Sequence, residues 1–299
     1  MDYEFIELLI SSFVMGLLLG GLYAAVAVGL SLIFGIIRVI NFAHGAFLML
    51  AMYTGFWLWY FFGMSPYLSL LIIAPLFFFF GYIVQDLIIK PMFVREKALV
   101  VEPLGVLLLM AGFDLVLSNL ALLFFKSDFR SIISPFASAT ISLGFTSISV
   151  SRFIVFLLAF AITGFLYWLL NRTEIGIAIR SVGQNREAAA LCGVNVYKIY
   201  AFTFGIGTAS VAIAGGAIVP FYYVNPAMGL PLAVKSFIVV VLGGLGSIPG
   251  ALLGGLILGV VESITAPFVT ATSSAIFSFL LFIIVLFIRP KGLMGVLEA

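Results

Sequence analysis

The sequence predicts an all-α protein, a polytopic bundle of about eight to nine membrane-spanning helices that includes broken or re-entrant segments. Three observations predict it. Hydrophobic residues make up 64% of the chain and charged residues only 9%, against about 25% charged in an ordinary soluble domain. The apolar residues lie in runs: Phe153 to Leu170 and Ile276 to Ile288 carry no charge, and crossing the hydrocarbon core takes about 20 such residues. Lysine and arginine are also distributed unevenly between the connections.

Apolar length and the interruptions by charge, glycine and proline place the spans at 8–35, 43–62, 66–89, 101–125, 152–170, 199–219, 232–245, 250–266 and 274–288. The first run follows Asp2, Glu4 and Glu7 with no Lys or Arg. It therefore reads as a retained helix, because a secretory leader begins with a basic region. The stretch 232–266 is too long for one upright span and is broken at Gly243-Gly244-Leu245-Gly246-Ser247-Ile248-Pro249-Gly250. Two short crossings or a re-entrant hairpin fit it equally. Irregular backbone is tolerated at membrane depth only where protein or a water-filled cavity satisfies it.

Orientation follows from the positive charges. With the acidic N-terminus outside, the inner connections hold Arg38, Lys90, Arg95, Lys97, Arg172, Arg180, Arg186, Lys198, Arg289 and Lys291. The outer side holds Lys126, Arg130, Arg152 and Lys235. Reading 232–266 as a single span would put Arg289 and Lys291 outside, so two passes are expected and the C-terminus is expected in the cytoplasm. The whole of 1–299 reads as one transmembrane domain.

Several function classes fall away. One cysteine, Cys192, and one histidine, His44, provide neither a disulfide framework nor a cysteine metal cluster. No metal or cofactor is expected. A net charge of +2 gives no footprint for nucleic acid. The phosphate-cradling pattern G-x-x-x-x-G-K-[ST] is absent, so ATP-driven transport would need an ATPase in another chain.

The longest inner connection, 171–198, is the most informative. Ile175, Ile179, Val182, Ala189 and Cys192 fall near helical spacing. Glu187 to Leu191 is a short helix former stopped by Gly193. Such a helix either lies on the headgroups or inserts into a groove of a partner and carries its motion into the spans.

Here the chain resembles a known family. Glu187-Ala188-Ala189 followed by Gly193 is similar to the EAA loop of ATP-binding-cassette (ABC) importer permeases, without the downstream Leu-Pro usual in that motif. Gly29-Leu30-Ser31-Leu32-Ile33-Phe34-Gly35 through Asn41-Phe42-Ala43-His44-Gly45 resembles the N-terminal signature of the LivH-type branched-chain amino acid permeases. Gly243 to Gly255 resembles their glycine-rich C-terminal segment, and Asn185-Arg186-Glu187-Ala188-Ala189 with Gly193-Val194-Asn195 fits the same subfamily. The resemblance implies a second permease subunit, a paralogue or a second copy. It also implies two cytoplasmic ATP-binding subunits, an extracytoplasmic substrate-binding protein and a cell inner membrane location. The implied substrate is a hydrophobic amino acid, leucine, isoleucine or valine; relatives in the same family take urea or short amides. A stand-alone secondary carrier would need ion-coupling groups, for which Glu262 and Asp114 are the candidates. A membrane enzyme would need a catalytic constellation, and none is present.

The implied coupling residues are Arg186, Glu187, Ala188, Ala189 and Gly193. For the substrate path the candidates are Asn41, His44, Asp114, Gly243, Gly244, Gly246 and Glu262. Asn41 and His44 either cap a tight inner turn or mark a broken membrane helix whose ends meet a zwitterion. Ionisable groups inside a membrane face a cavity or a partner. On that rule Glu262 meets a substrate amine or pairs with a neighbour, and Asp114, with Ser118 and Asn119 near it, meets substrate or bonds helix to helix. Lys235 is expected to snorkel, and Asp86 to be solvated or paired with Lys90. Gly16, Gly20 and Gly21 are expected to let helices approach closely, whereas the cluster from Gly243 marks a break facing a cavity. Phe77-Phe78-Phe79-Phe80 reads as lipid-facing, and Trp57-Leu58-Trp59-Tyr60 as an interfacial belt.

Overall fold

The computed structural model describes residues 2–96, 104–142, 144, 146–269 and 271–295; Lys97 and residues 101–103 of the expected fourth span lie outside them. α1 (Asp2–Ile37) is followed by α2 (His44–Phe62) and α3 (Pro66–Val84). A π turn, Gln85–Ile89, carries α3 into α4 (Lys90–Glu96). Then come α5 (Leu104–Phe125), α6 (Pro135–Ser138), the strands β1 (Thr140–Ser142) and β2 (Ser147–Ser149), and α7 (Val150–Arg172). α8 (Glu174–Gln184), α9 (Arg186–Leu191), α10 (Val196–Ile218), α11 (Gly229–Gly243), α12 (Ile248–Thr265) and α13 (Ala271–Ile288) complete the chain. Among the described residues, eight helices are long and apolar enough to cross a membrane, and α13 is a further apolar helix. The 232–266 stretch forms two helices, α11 and α12. β1 and β2 pair antiparallel, Ile141 opposite Ile148, as a small hairpin before α7.

α1 and α10 are the most buried spans. They touch at Gly29 and Gly207: a Cβ on Gly207 would stand 2.8 Å from the Gly29 carbonyl oxygen. Around them the packing is reciprocal. α1 lies along α12 and against α11, while α10 lies along α3 and against α2. The chain therefore reads as two halves, α1–α2–α3–α5 and α10–α11–α12–α13, joined by α7. An odd number of passes precedes α10, so the second half is inverted relative to the first.

Small residues make these contacts possible, since association in lipid depends on close van der Waals packing rather than on hydrophobic exclusion. Along the α1–α12 seam a Cβ on Gly20 would stand 2.6 Å from the Leu256 Cα, and one on Gly255 would stand 2.6 Å from the Ala24 nitrogen. Gly16 meets Val260 on the same seam, while Gly21 faces Phe156 of α7. The phenylalanine run is not uniformly lipid-facing. Phe79 is exposed, but Phe77 is buried, and Phe80 packs edge-on against Phe47 at 5.5 Å. A helix turns its side chains through about 100° per residue, so four consecutive rings cannot share one face.

The end bearing most of the arginines is one face of the bundle. Arg38 Nη2 reaches the Gly183 carbonyl oxygen at 3.5 Å, and Lys90 pairs with Asp86 at 2.6 Å. The α11–α12 turn meets the chain beyond α13 at the same face. Gly20→Leu is predicted to force α1 from α12 and cost about 1–3 kcal/mol, read as a lower thermal unfolding temperature in detergent. Gly112→Leu, where a Cβ meets nothing within 4 Å, should change stability by less than about 0.5 kcal/mol.

Candidate translocation site

The centre of the fold is a junction between two helix starts. α1 ends at Ile37, and Arg38 takes a left-handed conformation (φ 56°). The next six residues run back into the bundle. The His44 imidazole Nε2 lies 2.9 Å from the Val26 carbonyl oxygen, about three turns, roughly 16 Å, before the end of α1. In the other half, 219–228 descends from the end of α10 to Gly229. There the two starts meet: a Cβ on Gly45 would stand 2.6 Å from the Gly229 carbonyl oxygen, and one on Gly229 2.5 Å from that of Gly45. Both positions require glycine because backbone faces backbone.

A helix start leaves amides unsatisfied. At the second start, Met228 gives α11 no side-chain cap, but Asn225 caps the short 3-10 turn, Pro226–Met228, that leads into it: its Oδ1 accepts from the Ala227 N–H at 2.9 Å and its Nδ2 donates to the Ser127 carbonyl oxygen at 2.9 Å. At α2 the residue before the helix, Ala43, gives no side-chain cap. Instead the carboxylate of Asp114, halfway along α5, faces the Ala46 N–H, where the helix dipole favours negative charge. Asn41 is fully buried, yet neither its Oδ1 nor its Nδ2 makes a hydrogen bond among the described residues, and nor does His44 Nδ1. Asn41 thus caps nothing, and the structure places it with His44 and Asp114 around one helix start.

Glu262 sits apart from that cluster. Its Oε2 lies 2.7 Å from Lys235 Nζ, accepts from the Tyr23 hydroxyl at 3.0 Å and takes a longer contact from Ser278 Oγ at 3.4 Å. Lys235, expected to snorkel, points to this carboxylate with its ammonium 5.4 Å from the Tyr23 ring centre. Both side chains of the pair are 16% exposed. The network ties α1, α11, α12 and α13 together. It was not legible in sequence because the partners are 27 residues apart on neighbouring helices.

Gly243, Gly244 and Gly246 form a packed turn. Gly244 (φ 106°) and Gly246 (φ 83°) take conformations that side-chain-bearing residues rarely adopt. A Cβ on Gly246 would stand 2.7 Å from the Gly35 Cα, and Gly243 packs on Gly250. The chain after α13 clips the turn: Leu293 N–H donates to the Leu242 carbonyl oxygen and Met294 N–H to that of Gly243, both at 2.9 Å. These satisfy carbonyls at the end of α11 that a helix cannot satisfy itself. The glycines of the cluster thus make close backbone contacts.

The 171–198 connection forms α8 and α9. Gly176 lets α8 fold tightly against the end of α7, its Cβ position 2.6 Å from the Leu170 Cα. Ile179 and Val182 are buried, whereas Ile175 is exposed. Asn185 caps α9, its Oδ1 accepting from the N–H groups of Glu187 at 3.0 Å and Ala188 at 2.9 Å. Arg186 lies beside the Tyr200 hydroxyl of α10, Ala189 is buried, and Leu191 is 90% exposed. Gly193 (φ 85°) ends the helix. One face of α9 is anchored to the spans and the other stands free.

Sequence reading missed the symmetry, although a signal for it is present. Asn41-Phe42-Ala43-His44-Gly45 and Asn225-Pro226-Ala227-Met228-Gly229 share the pattern N-x-A-x-G, once before each helix start.

A bundle of spanning helices built around two facing helix starts, with an anchored helix at one face and no catalytic constellation among the described residues, has the architecture of a membrane transport subunit. The family described as "Branched-chain amino acid transport system / permease component" matches residues 12–288, and the chain belongs to it: it is a permease component, not an enzyme. The chain is 31% identical to the high-affinity branched-chain amino acid transport system permease protein LivH of Salmonella typhimurium, over 94% of this chain and 93% of that one. It is 31% identical to BraD of Pseudomonas aeruginosa, described in the same words, over 98% and 96%. It is also 31% identical to a probable LivH of Methanocaldococcus jannaschii, over 92% and 89%. Among solved structures, PsaBC from Streptococcus pneumoniae in complex with Fab shares the fold, with a TM-score of 0.50 and 14% identity over 97% of each chain.

Breaking the Lys235–Glu262 pair on one side should be costly, since it leaves a buried charge alone. Glu262→Gln is predicted to lower stability by about 3–5 kcal/mol, and Glu262→Leu with Lys235→Met to recover most of that loss. Unfolding temperatures of the three purified variants check it; equal losses in single and double variants would contradict a coupled pair.

Proposed function

We propose that this chain is one of two membrane subunits of an ABC importer that carries branched-chain, hydrophobic amino acids inward. Substrate comes from an extracytoplasmic binding protein, and two cytoplasmic ATP-binding subunits drive the cycle. The observation that carries this reading is α9: a capped short helix, fixed to α10 through Arg186 and Tyr200, with Leu191 almost wholly exposed at its end. A chain without a phosphate-cradling loop needs a partner to supply ATP energy, and α9 has the form of a helix that docks in a groove. The names of the full-length relatives support the substrate class.

Arg186, Glu187, Ala188, Ala189 and Gly193 form the ATPase-coupling helix in this reading, with the arginine-rich face in the cytoplasm, the N-terminus outside and the C-terminus inside. The path passes the α2–α11 junction. Asp114 supports this: it is a half-buried carboxylate at mid-span of α5, and a lipid-facing position there is strongly disfavoured. A second permease subunit against α5 encloses it. The unpartnered amide of Asn41 and the free Nδ1 of His44 supply polar groups that water or substrate satisfies during passage.

Glu187→Lys puts a cation at the start of α9, where the dipole disfavours it, on the surface assigned to docking. The variant should insert normally, retain less ATP-binding subunit on co-purification, and lose at least about 90% of leucine uptake, the loss a barrier increase of about 1.4 kcal/mol gives. Normal association together with normal uptake would overturn the assignment.

A further inference from the structure

A cavity of about 220 Å³ lies between α1, α7, the 219–228 segment and α12, at the end of the bundle opposite α9. Its walls divide by chemistry. Leu18, Leu19, Leu22 and Val155 form an aliphatic side, while Arg152, Tyr222 and Ser263 form a polar one. The Arg152 guanidinium stands 6.0 Å from the Phe221 ring centre and, among the described residues, has no carboxylate partner within ion-pair distance. The Tyr222 phenol lies between opposite charges, within the field of both Arg152 and Glu262. Glu262 follows Val261 and precedes the lining Ser263, so the Lys235–Glu262–Tyr23 network backs the cavity. Seven residues beyond Tyr222 the same segment reaches Gly229 and the central junction.

We propose that this cavity is an outer waiting site for an aliphatic amino acid, its carboxylate on Arg152, its ammonium on the Tyr222 and Ser263 hydroxyls and its side chain on Leu18, Leu19, Leu22 and Val155. The inference rests on the proposed function. It adds a place where substrate sits before reaching the junction, against the segment that leads there. A guanidinium matches a carboxylate in both charge and fork geometry, and a concave apolar wall with few convergent polar groups is the usual form of a small-molecule site.

The test uses the assembled transporter in nanodiscs of zwitterionic phospholipid, with radiolabelled leucine binding measured by equilibrium dialysis in the absence of the binding protein. Uptake by the same assembly in proteoliposomes is measured with the binding protein present. Arg152→Gln should weaken leucine binding about tenfold or more, the scale of one charge-assisted hydrogen bond. Arg152 is exposed, so this variant folds. Leu19→Phe, which fills the aliphatic side and leaves the guanidinium, should weaken leucine more than alanine. Unchanged leucine binding in both variants, with leucine uptake intact in the wild type, overturns the waiting site and leaves the importer reading standing. Loss of wild-type binding when anionic phospholipid replaces the zwitterionic lipid identifies an anionic headgroup as the occupant and also overturns it. A wild-type assembly that takes up no aliphatic amino acid overturns the importer reading itself.

Discussion

Backbone in hydrocarbon has no water to bond to, and each unsatisfied amide or carbonyl there costs several kcal/mol. This chain nonetheless brings two irregular segments, 38–43 and 219–228, to the middle of its bundle. The structure rests on how those breaks are closed. Gly45 and Gly229 remove the side chains that would hold the helix starts apart. Asn225 caps the 3-10 turn that leads into one start, and the Asp114 carboxylate stands at the other. The reciprocal packing of α1 on α12 and α10 on α3 encloses both breaks in protein, where irregular backbone is tolerated.

The two halves share an architecture but not a chemistry. The second half carries a fully bonded asparagine and an ion pair between its third and second helices. The first half carries a buried asparagine amide and an imidazole nitrogen with no hydrogen-bond partner among the described residues. Symmetric packing therefore carries an uneven set of polar groups. A physical chain of contacts links that centre to α9. Arg186 holds Tyr200, Arg38 holds Gly183, Gly35 abuts Gly246, and the tail after α13 clips the Gly243–Gly244 turn. In the proposed cycle, movement of α9 is passed through these contacts to the ends of α1, α10 and α11, the helices that bound the junction.

Span positions were legible because crossing a membrane demands apolar length, and length is written directly in sequence. The start of α2 fell one residue from its expected position and that of α13 three. Depth was not legible. Hydropathy does not distinguish a helix that starts at the membrane face from one that starts beside Val26 in the bundle interior, so Asn41 and His44 read equally as a surface turn. The N-x-A-x-G pattern held the missing signal, since its second copy marks an equivalent helix start. For Glu262 a paired neighbour is one of two expectations, but its identity as Lys235 depends on how α11 and α12 fold against each other. The glycines from Gly243 were recognised as a break, but whether a break faces a cavity or a neighbouring backbone depends on partners such as Gly35, Met294 and Gly295, which sequence proximity does not reveal. The short helix at 186–191 was legible because Asn185, Glu187 and Gly193 are local start and stop signals.

The claim that the α2–α11 junction is the gated centre of the path is tested most directly by a single thiol beside it. With Cys192 replaced by serine, Asp114→Cys places one cysteine on α5 next to the start of α2. A membrane-impermeant thiol reagent is then applied from either side of proteoliposomes holding the assembled transporter, with and without a trapped ATP state. Labelling that passes from one side to the other as the nucleotide state changes is the result expected here. Labelling from neither side in every state, with transport intact in the Cys192→Ser parent, would contradict it.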